Sequence, residues 1–295
     1  MTTILSHLKF WSSITGRTVG RLLSGVADLV CPPNCLACSE PLDRSDLSHF
    51  YCGECCRRLI VDVSEYCPLC GAIGRLLPSV GEPHKTAPGC RECERQEYRF
   101  SRAVVLGLYT ESLRSIILDM KSDRDGILAT NMARLLFKTR ERELHDLAPE
   151  LVVPVPMHFA RRFFRGTNNP VFFAKEIGHA LGIPVGTRLV RRIRYTKPQF
   201  HLKPRQRYRN VLGAFAFVGR KNAIAGKRVL IVDDIMTTGA TCNEVTRVLR
   251  EAGAASVCVA VFARAMGKFN PLEPTEKPID AYRNNQNTKH QRVTR

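Results

Sequence analysis

Val229-Leu230-Ile231-Val232-Asp233-Asp234-Ile235-Met236-Thr237-Thr238-Gly239-Ala240-Thr241 is the stretch on which the reading of this chain turns. Its four leading apolar residues suffice for a short strand buried on both faces. Two adjacent carboxylates follow, then a small, hydroxyl-rich loop with one glycine. Beyond the loop, Val245, Val248, Leu249 and Ala252 recur at the spacing of an amphipathic helix. The backbone N–H groups of a loop entering a helix carry partial positive charge, so a phosphate fits above them. Gly239 permits a positive φ or a close backbone approach that a Cβ would obstruct. Asp233 and Asp234, read as the carboxyl end of the strand, are placed to hold ribose hydroxyls or a hydrated Mg²⁺. A lone Asp-Asp pair would read as a solvated strand end, with Thr237 capping a helix; the whole run is what is specific.

That run resembles the binding motif for 5-phosphoribosyl-1-pyrophosphate (PRPP) in type I phosphoribosyltransferases, an apolar strand followed by D-D-x-x-T-T-G-x-T. It is not a P-loop, because the Gly-Lys-Ser/Thr ending is missing.

Working outward, strand and helix patterns alternate over residues 102–262. Strands are expected at 102–109, 151–155, 214–218, 228–232 and 256–262, and helices at 111–121, 126–138, 168–181 and from Thr241. Alternation of this kind argues for an α/β fold with a parallel sheet flanked by helices. The unit 228–262 is then a right-handed βαβ crossover. Ligands of such sheets bind outside the carboxyl ends of the strands.

The chain has 295 residues and a formal net charge of +18. The excess is concentrated: residues 157–210 hold thirteen lysines and arginines against Glu176 alone. A field of this sign attracts pyrophosphate, PRPP or nucleic acid, and charge does not choose among them. Within it, Arg161, Arg162 and Arg165 lie in a basic loop after Val152-Val153-Pro154-Val155-Pro156, where their planar guanidinium groups suit a pyrophosphate. Residues 192–215 are too polar for core and long enough for an active-site lid. Lys121, closing a helix, can reach an anion.

Ten of the twelve cysteines fall between Cys31 and Cys93. Eight form C-x-x-C pairs: Cys35/Cys38, Cys52/Cys55, Cys67/Cys70 and Cys90/Cys93. Two such pairs complete a tetrahedral zinc site, and four thiolates leave no open position, so the role is structural. The simplest arrangement is sequential, Cys35, Cys38, Cys52 and Cys55 and then Cys67, Cys70, Cys90 and Cys93; a cross-braced pairing is compatible with the same spacing. Residues 4–30 lack the compact apolar block of a signal peptide and read as an amphipathic helix packed on the protein, with a basic membrane-surface helix as the alternative. No apolar run reaches the ~20 residues of a membrane span, and a cytoplasmic location is expected. Residues 267–295 read as a disordered basic tail.

Together these features resemble the ComF family of competence-associated phosphoribosyltransferases. The carrying residues are the Pro-rich cysteine entry at 29–38, the paired zinc ribbon, Tyr109 with Met120-Lys121, V-P-V-P, Arg165-Gly166-Thr167-Asn168-Asn169, the segment Thr196, Gln199, Arg207, Asn210, Ala214 and Phe215, and the PRPP motif. Thr167 and Asn169 replace a Phe and a Gln of the family's R-G-F-N-Q loop, and Met120 and Ser122 stand where it favours Leu and an aromatic. The resemblance implies a type I phosphoribosyltransferase domain at 100–266 behind a double zinc ribbon at 31–95 and a helical lead-in at 1–30. It implies PRPP on Thr237, Thr238, Gly239, Ala240 and Thr241, with Asp233 and Asp234 at the ribose. Arg161, Arg162, Arg165 and Lys121 face the pyrophosphate, and Thr196, Gln199, Arg207 and Asn210 belong to the lid. Asp233, Asp234 and Arg165 would act in catalysis, with Mg²⁺ accompanying PRPP and two Zn²⁺ holding the ribbon. The acceptor is not named by any motif. The competing expectation is a non-catalytic, PRPP-sensing protein that binds single-stranded DNA within the competence machinery.

Overall fold

Why four strands of this chain align in parallel follows from their composition. Ala103–Leu108 (β1), Leu151–Pro154 (β2), Arg228–Met236 (β5) and Ser256–Arg264 (β6) are near-continuous apolar runs, the pattern of strands buried on both faces. The computed structural model describes residues 33–43, 46, 49–72, 90–120, 122–157, 169–196, 202 and 204–265. In it the four strands form one parallel sheet in the order β1-β6-β5-β2. Val190–Arg192 (β3) and Phe215–Phe217 (β4) pair antiparallel in a separate two-stranded ribbon. The lead-in at 1–30 and the tail at 267–295 lie outside the described residues.

Alternating side chains divide between two buried clusters. Val104, Leu106, Val152, Leu230, Val232, Ala260 and Phe262 face one side. There Glu111–Asp119 (α3), Ile127–Asp146 (α4) and Asn169–Leu181 (α5) contribute Leu113, Ile117, Met132, Leu136, Phe173 and Ile177. Phe173 stacks on Phe262 at 4.0 Å between ring centroids. Val105, Val153, Ile231, Val257, Val259 and Val261 face the other side, under Val245, Val248 and Leu249 of Ala240–Glu251 (α7).

Three elements differ from expectation, each for a physical reason. α4 runs eight residues beyond 138, because its inward position there is taken by Arg140, a charge that breaks the hydrophobic period. β5 continues through the acidic pair to Met236, because β6 keeps pairing with it as far as Met236 and Arg264. The 214–218 strand leaves the main sheet, since local alternation carries no information about its partner.

The cysteine-rich segment is built into this core. Cys35, Tyr51, Cys55 and Leu59 are buried in the same cluster as Val104 and Leu106, beside the helix Gly53–Leu59 (α1). Val61 N–H donates to the Leu106 carbonyl at 2.9 Å. Arg140, 3% exposed, donates to the carbonyls of Val105 at 2.9 Å, Leu106 at 3.3 Å and Val61. A buried guanidinium is tolerable only with its donors used, and here they stitch α4, β1 and the segment after α1 together. Gly107 sits at that seam, where an added Cβ would fall 2.0 Å from the Leu59 carbonyl oxygen.

Gly107→Ala is therefore expected to lower unfolding free energy by about 1–3 kcal/mol, the usual cost of overpacking. Urea denaturation of the purified chain measures it, and a midpoint equal to that of the wild type would contradict the seam.

Candidate phosphate site and cysteine quartets

β2 pairs with β5 only as far as Pro154 and Val232. β5 then runs on with β6 as its partner, through Asp233, Asp234, Ile235 and Met236. This offset opens a crevice at the carboxyl ends of the strands, the usual ligand position in such sheets. The carboxylates thus stand within the strand's open edge rather than beyond its end. Asp233 Oδ1 accepts from Asp234 N–H at 3.0 Å, and Asp234 Oδ1 accepts from Ile235 N–H at 2.8 Å. Each carboxylate thus caps the amide of the residue that follows it.

After Met236 the chain turns into α7 through Thr237, Thr238 and Gly239. Gly239 adopts φ +73°, and a Cβ there would lie 2.8 Å from the Tyr98 ring, so both conformation and space require glycine. The first turn of a helix leaves backbone N–H groups unpaired within the helix. A shallow, open hollow lies over this turn, lined by Asp233, Thr237, Gly239, Ala240 and Thr241 together with Ile235, Met236 and Cys242. The hollow's lining thus includes the residues of a helix-entry turn, the Thr237 and Thr241 hydroxyls and the Asp233 carboxylate.

Burial pushes the Asp233 carboxyl well above the usual carboxylate range, the adjacent Asp234 charge pushes the same way, and Arg192 opposes both. Two neighbouring carboxylates in this setting favour a cation or a hydroxyl donor between them.

Of the residues expected to form the site, the structure brings together Asp233, Thr237, Gly239, Ala240 and Thr241, with Asp234 and Thr238 beside them. Lys121, Arg161, Arg162, Arg165 and Gln199 lie outside the described residues. Thr196 is buried and bonded to Arg192, Arg207 donates to the Leu202 carbonyl at 3.0 Å, and the Asn210 carbonyl accepts from Arg194 at 3.0 Å. Residues 204–211 form a helix, Pro204–Val211 (α6). Its Tyr208 reaches the loop, with the hydroxyl donating to the Thr238 carbonyl at 2.5 Å. Gln96, Tyr98 and Arg264 join the site without having been expected, and Arg192, the first residue of the expected lid segment, acts on Asp233. The one signal available was Arg264, a charge closing an otherwise apolar strand.

The eight paired cysteines gather as two quartets, Cys35, Cys38, Cys52 and Cys55, and Cys67, Cys70, Cys90 and Cys93. The four sulfurs of each lie within 4.8 Å of one another. Tetrahedral zinc with bonds of about 2.3 Å sets its sulfurs about 3.8 Å apart. The separations Cys38–Cys52 at 3.7 Å, and Cys67–Cys93 and Cys90–Cys93 at 3.8 Å, fit that geometry, while Cys70–Cys90 at 3.4 Å is tighter. One thiol in each quartet is driven toward the thiolate by a neighbour, Cys35 by Cys55 and Cys67 by Cys70. Cys56 stands apart, its Sγ directed at the Tyr51 carbonyl.

The phosphoribosyl transferase domain model matches residues 144–294. Competence protein F of Haemophilus influenzae is 31% identical over 224 residues, covering 74% of this chain and 98% of that protein. The DNA utilization protein YhgH of Salmonella typhimurium is 31% identical over 241 residues, covering 81% of this chain and all of the relative. A solved allosteric regulatory enzyme of purine biosynthesis aligns at 24% identity with a TM-score of 0.31, over 48% of this chain and 26% of that one.

The raised Asp233 carboxyl has a consequence for stability. A group whose folded value exceeds its unfolded value of 3.8 binds its proton more tightly when folded, so stability falls as pH rises from about 4 through the folded value. Asp233→Asn is expected to raise the melting temperature at pH 7 and to flatten its decline with pH. Thermal denaturation across pH 4–8 measures this; a lower melting temperature at pH 7 would contradict the strained pair.

Proposed function

Because this chain belongs to the ComF family of phosphoribosyltransferase-like proteins, we propose that it binds PRPP in the crevice beyond β2 and transfers its phosphoribosyl group to an acceptor. The observation that carries this reading is the strand offset, which brings Asp233 and the turn at Gly239 to one hollow, with Asp234 adjacent to Asp233 in the strand. The 5′-phosphate rests on Thr237, Thr238, Gly239, Ala240 and Thr241. Asp233 and Asp234 hold the ribose hydroxyls, directly or through Mg²⁺, which when bound offsets the charge of the pyrophosphate.

In the transfer, the acceptor's nucleophile forms a bond to C1 as the bond from C1 to the pyrophosphate oxygen breaks and the electron pair leaves with pyrophosphate. Stabilising that departing charge is the main catalytic task, assigned in this reading to Arg165 with Arg161, Arg162 and Lys121. Thr196, Gln199, Arg207 and Asn210 form the lid that excludes water. Two structural Zn²⁺ occupy the quartets. The cellular role is in competence or DNA use, following the names of the relatives, and the site of action is cytoplasmic. No helix among the described residues is long and apolar enough to cross a membrane.

Asp233→Asn combined with Asp234→Asn is expected to abolish Mg²⁺-dependent PRPP binding while leaving two zinc ions per chain, checked by calorimetry and metal analysis; binding at wild-type affinity would sink the assignment. A screen of bases and amines for pyrophosphate release then identifies the acceptor.

A second reading, binding of single-stranded DNA with PRPP as a regulatory ligand, has one observation in its favour. Ile193, Tyr195 and Leu212 are about 60% exposed, and Arg194 bonds to the Leu212 carbonyl at 2.7 Å among them. Arginine beside an exposed aromatic suits a stacked base. It predicts single-stranded DNA binding that weakens steeply with salt and several-fold more on Tyr195→Ala. Binding indifferent to that substitution would remove this surface from consideration.

A further inference from the structure

The chain leaving the second cysteine quartet runs directly against the phosphate loop and holds it. Gln96, three residues after Cys93, donates from Nε2 to the Thr238 carbonyl at 2.6 Å. The Tyr98 ring fills the space beside Gly239 and packs on Phe100 at 5.0 Å between centroids. Asn243, in the first turn of α7, accepts from Arg99 N–H at 2.7 Å and donates to the Glu97 carbonyl at 3.1 Å.

Arg264 makes the second tie. It is 2% exposed. Its Nε donates to the carbonyl of Cys70, a quartet member, at 3.0 Å. Its Nη1 donates to the carbonyls of Met236 at 3.2 Å and Ala265 at 3.0 Å, and its Nη2 to the Tyr98 hydroxyl at 3.4 Å. One buried guanidinium therefore joins the quartet to the strand residue that opens the loop. Such a charge is retained only where its hydrogen bonds are met in place, so its geometry is stiff.

These contacts bear on the amides. In a trans peptide the carbonyl and the following N–H point in opposite directions. The Met236 carbonyl, held by Arg264 and by Ala265 N–H, aims Thr237 N–H away from them. The Thr238 carbonyl, held by Gln96 and by the Tyr208 hydroxyl, does the same for Gly239 N–H, Gln96 being the donor that comes from the quartet side. Both amides belong to residues that line the hollow.

We propose that Gln96 and Arg264 are positioning residues for the loop, so that the integrity of the Cys67, Cys70, Cys90 and Cys93 quartet sets the affinity of the site for the phosphate of its ligand. The affinity claim rests on the phosphate reading above; the brace itself does not. The test uses the full chain with ribose 5-phosphate as the probe, together with hydrogen exchange of residues 237–243 in the unliganded protein. Gln96→Ala is expected to keep its metal and its melting temperature, to weaken ribose 5-phosphate binding about fivefold, the worth of one hydrogen bond, and to speed exchange in the loop. Gln96→Lys, which keeps a donor, is expected to restore most of that loss. Cys93→Ser is expected to do both to a greater extent. Loop exchange unchanged in Gln96→Ala overturns the brace, whether or not Cys93→Ser folds. A wild-type chain that does not bind ribose 5-phosphate overturns the phosphate reading and the affinity claim with it, while the exchange result still decides the brace.

Discussion

A parallel sheet must have both faces covered, and that constraint organises this protein. On one face α7 lies across the strands together with Phe215, Val211 and Phe100. On the other, α3, α4 and α5 share the work with the first cysteine quartet, whose Cys35 and Cys55 are buried among the sheet's own side chains with Tyr51 and Leu59. The cysteine-rich segment is thus a wall of the α/β core. Arg140 shows how firmly it is attached, since its guanidinium reaches carbonyls on β1 and on the chain after α1. Losing the quartet would uncover Val104 and Leu106 as well as the ribbon itself.

The same sheet makes the site by stopping unevenly. β2 ends at Pro154 while β5 continues to Met236. Beyond the last β2 pair, the Asp233 and Asp234 carboxylates accept from the amides that follow them. This arrangement opposes stability, because burial and mutual repulsion both disfavour two charges there. An apolar continuation of β5 would pack better. On the proposed reading the acidic pair is a binding feature whose cost is met by the rest of the core, the pattern expected where local rules are broken for function.

Most of this was legible in the sequence because it is local. The apolar strands, the helix after Thr241 and the need for glycine at 239 follow from period and spacing, and the quartets from four C-x-x-C pairs. What escaped depends on partners far along the chain. β4 looked like another sheet strand, yet its partner is β3. Arg140 interrupted a helical pattern because its role is to bond carbonyls on β1. Tyr208 sat in a segment read as polar, and only the fold sets its hydroxyl on Thr238. Side chains that act through backbone carbonyls leave no motif, since any residue supplies a carbonyl.

That long-range character bears on why a cysteine-quartet module precedes the loop at Gly239. Gln96 and Thr238 are 142 residues apart, so the segment bearing Gln96 and Tyr98 must be ordered by something near it in sequence. Its helix, Arg91–Arg95 (α2), has five residues, far too few to be stable alone. The cluster beside it is small, with Cys67, Cys70, Ala72 and Cys90 as its buried members. Hydrophobic burial on that scale does not offset the entropy of fixing the chain. A tetrahedral ion held by the four cysteines would do so with few residues, and would leave Gln96 and Tyr98 fixed where they meet the loop. The second quartet is therefore best understood as the foundation of the segment that packs on the loop at Gly239, in the way the first is a wall of the core.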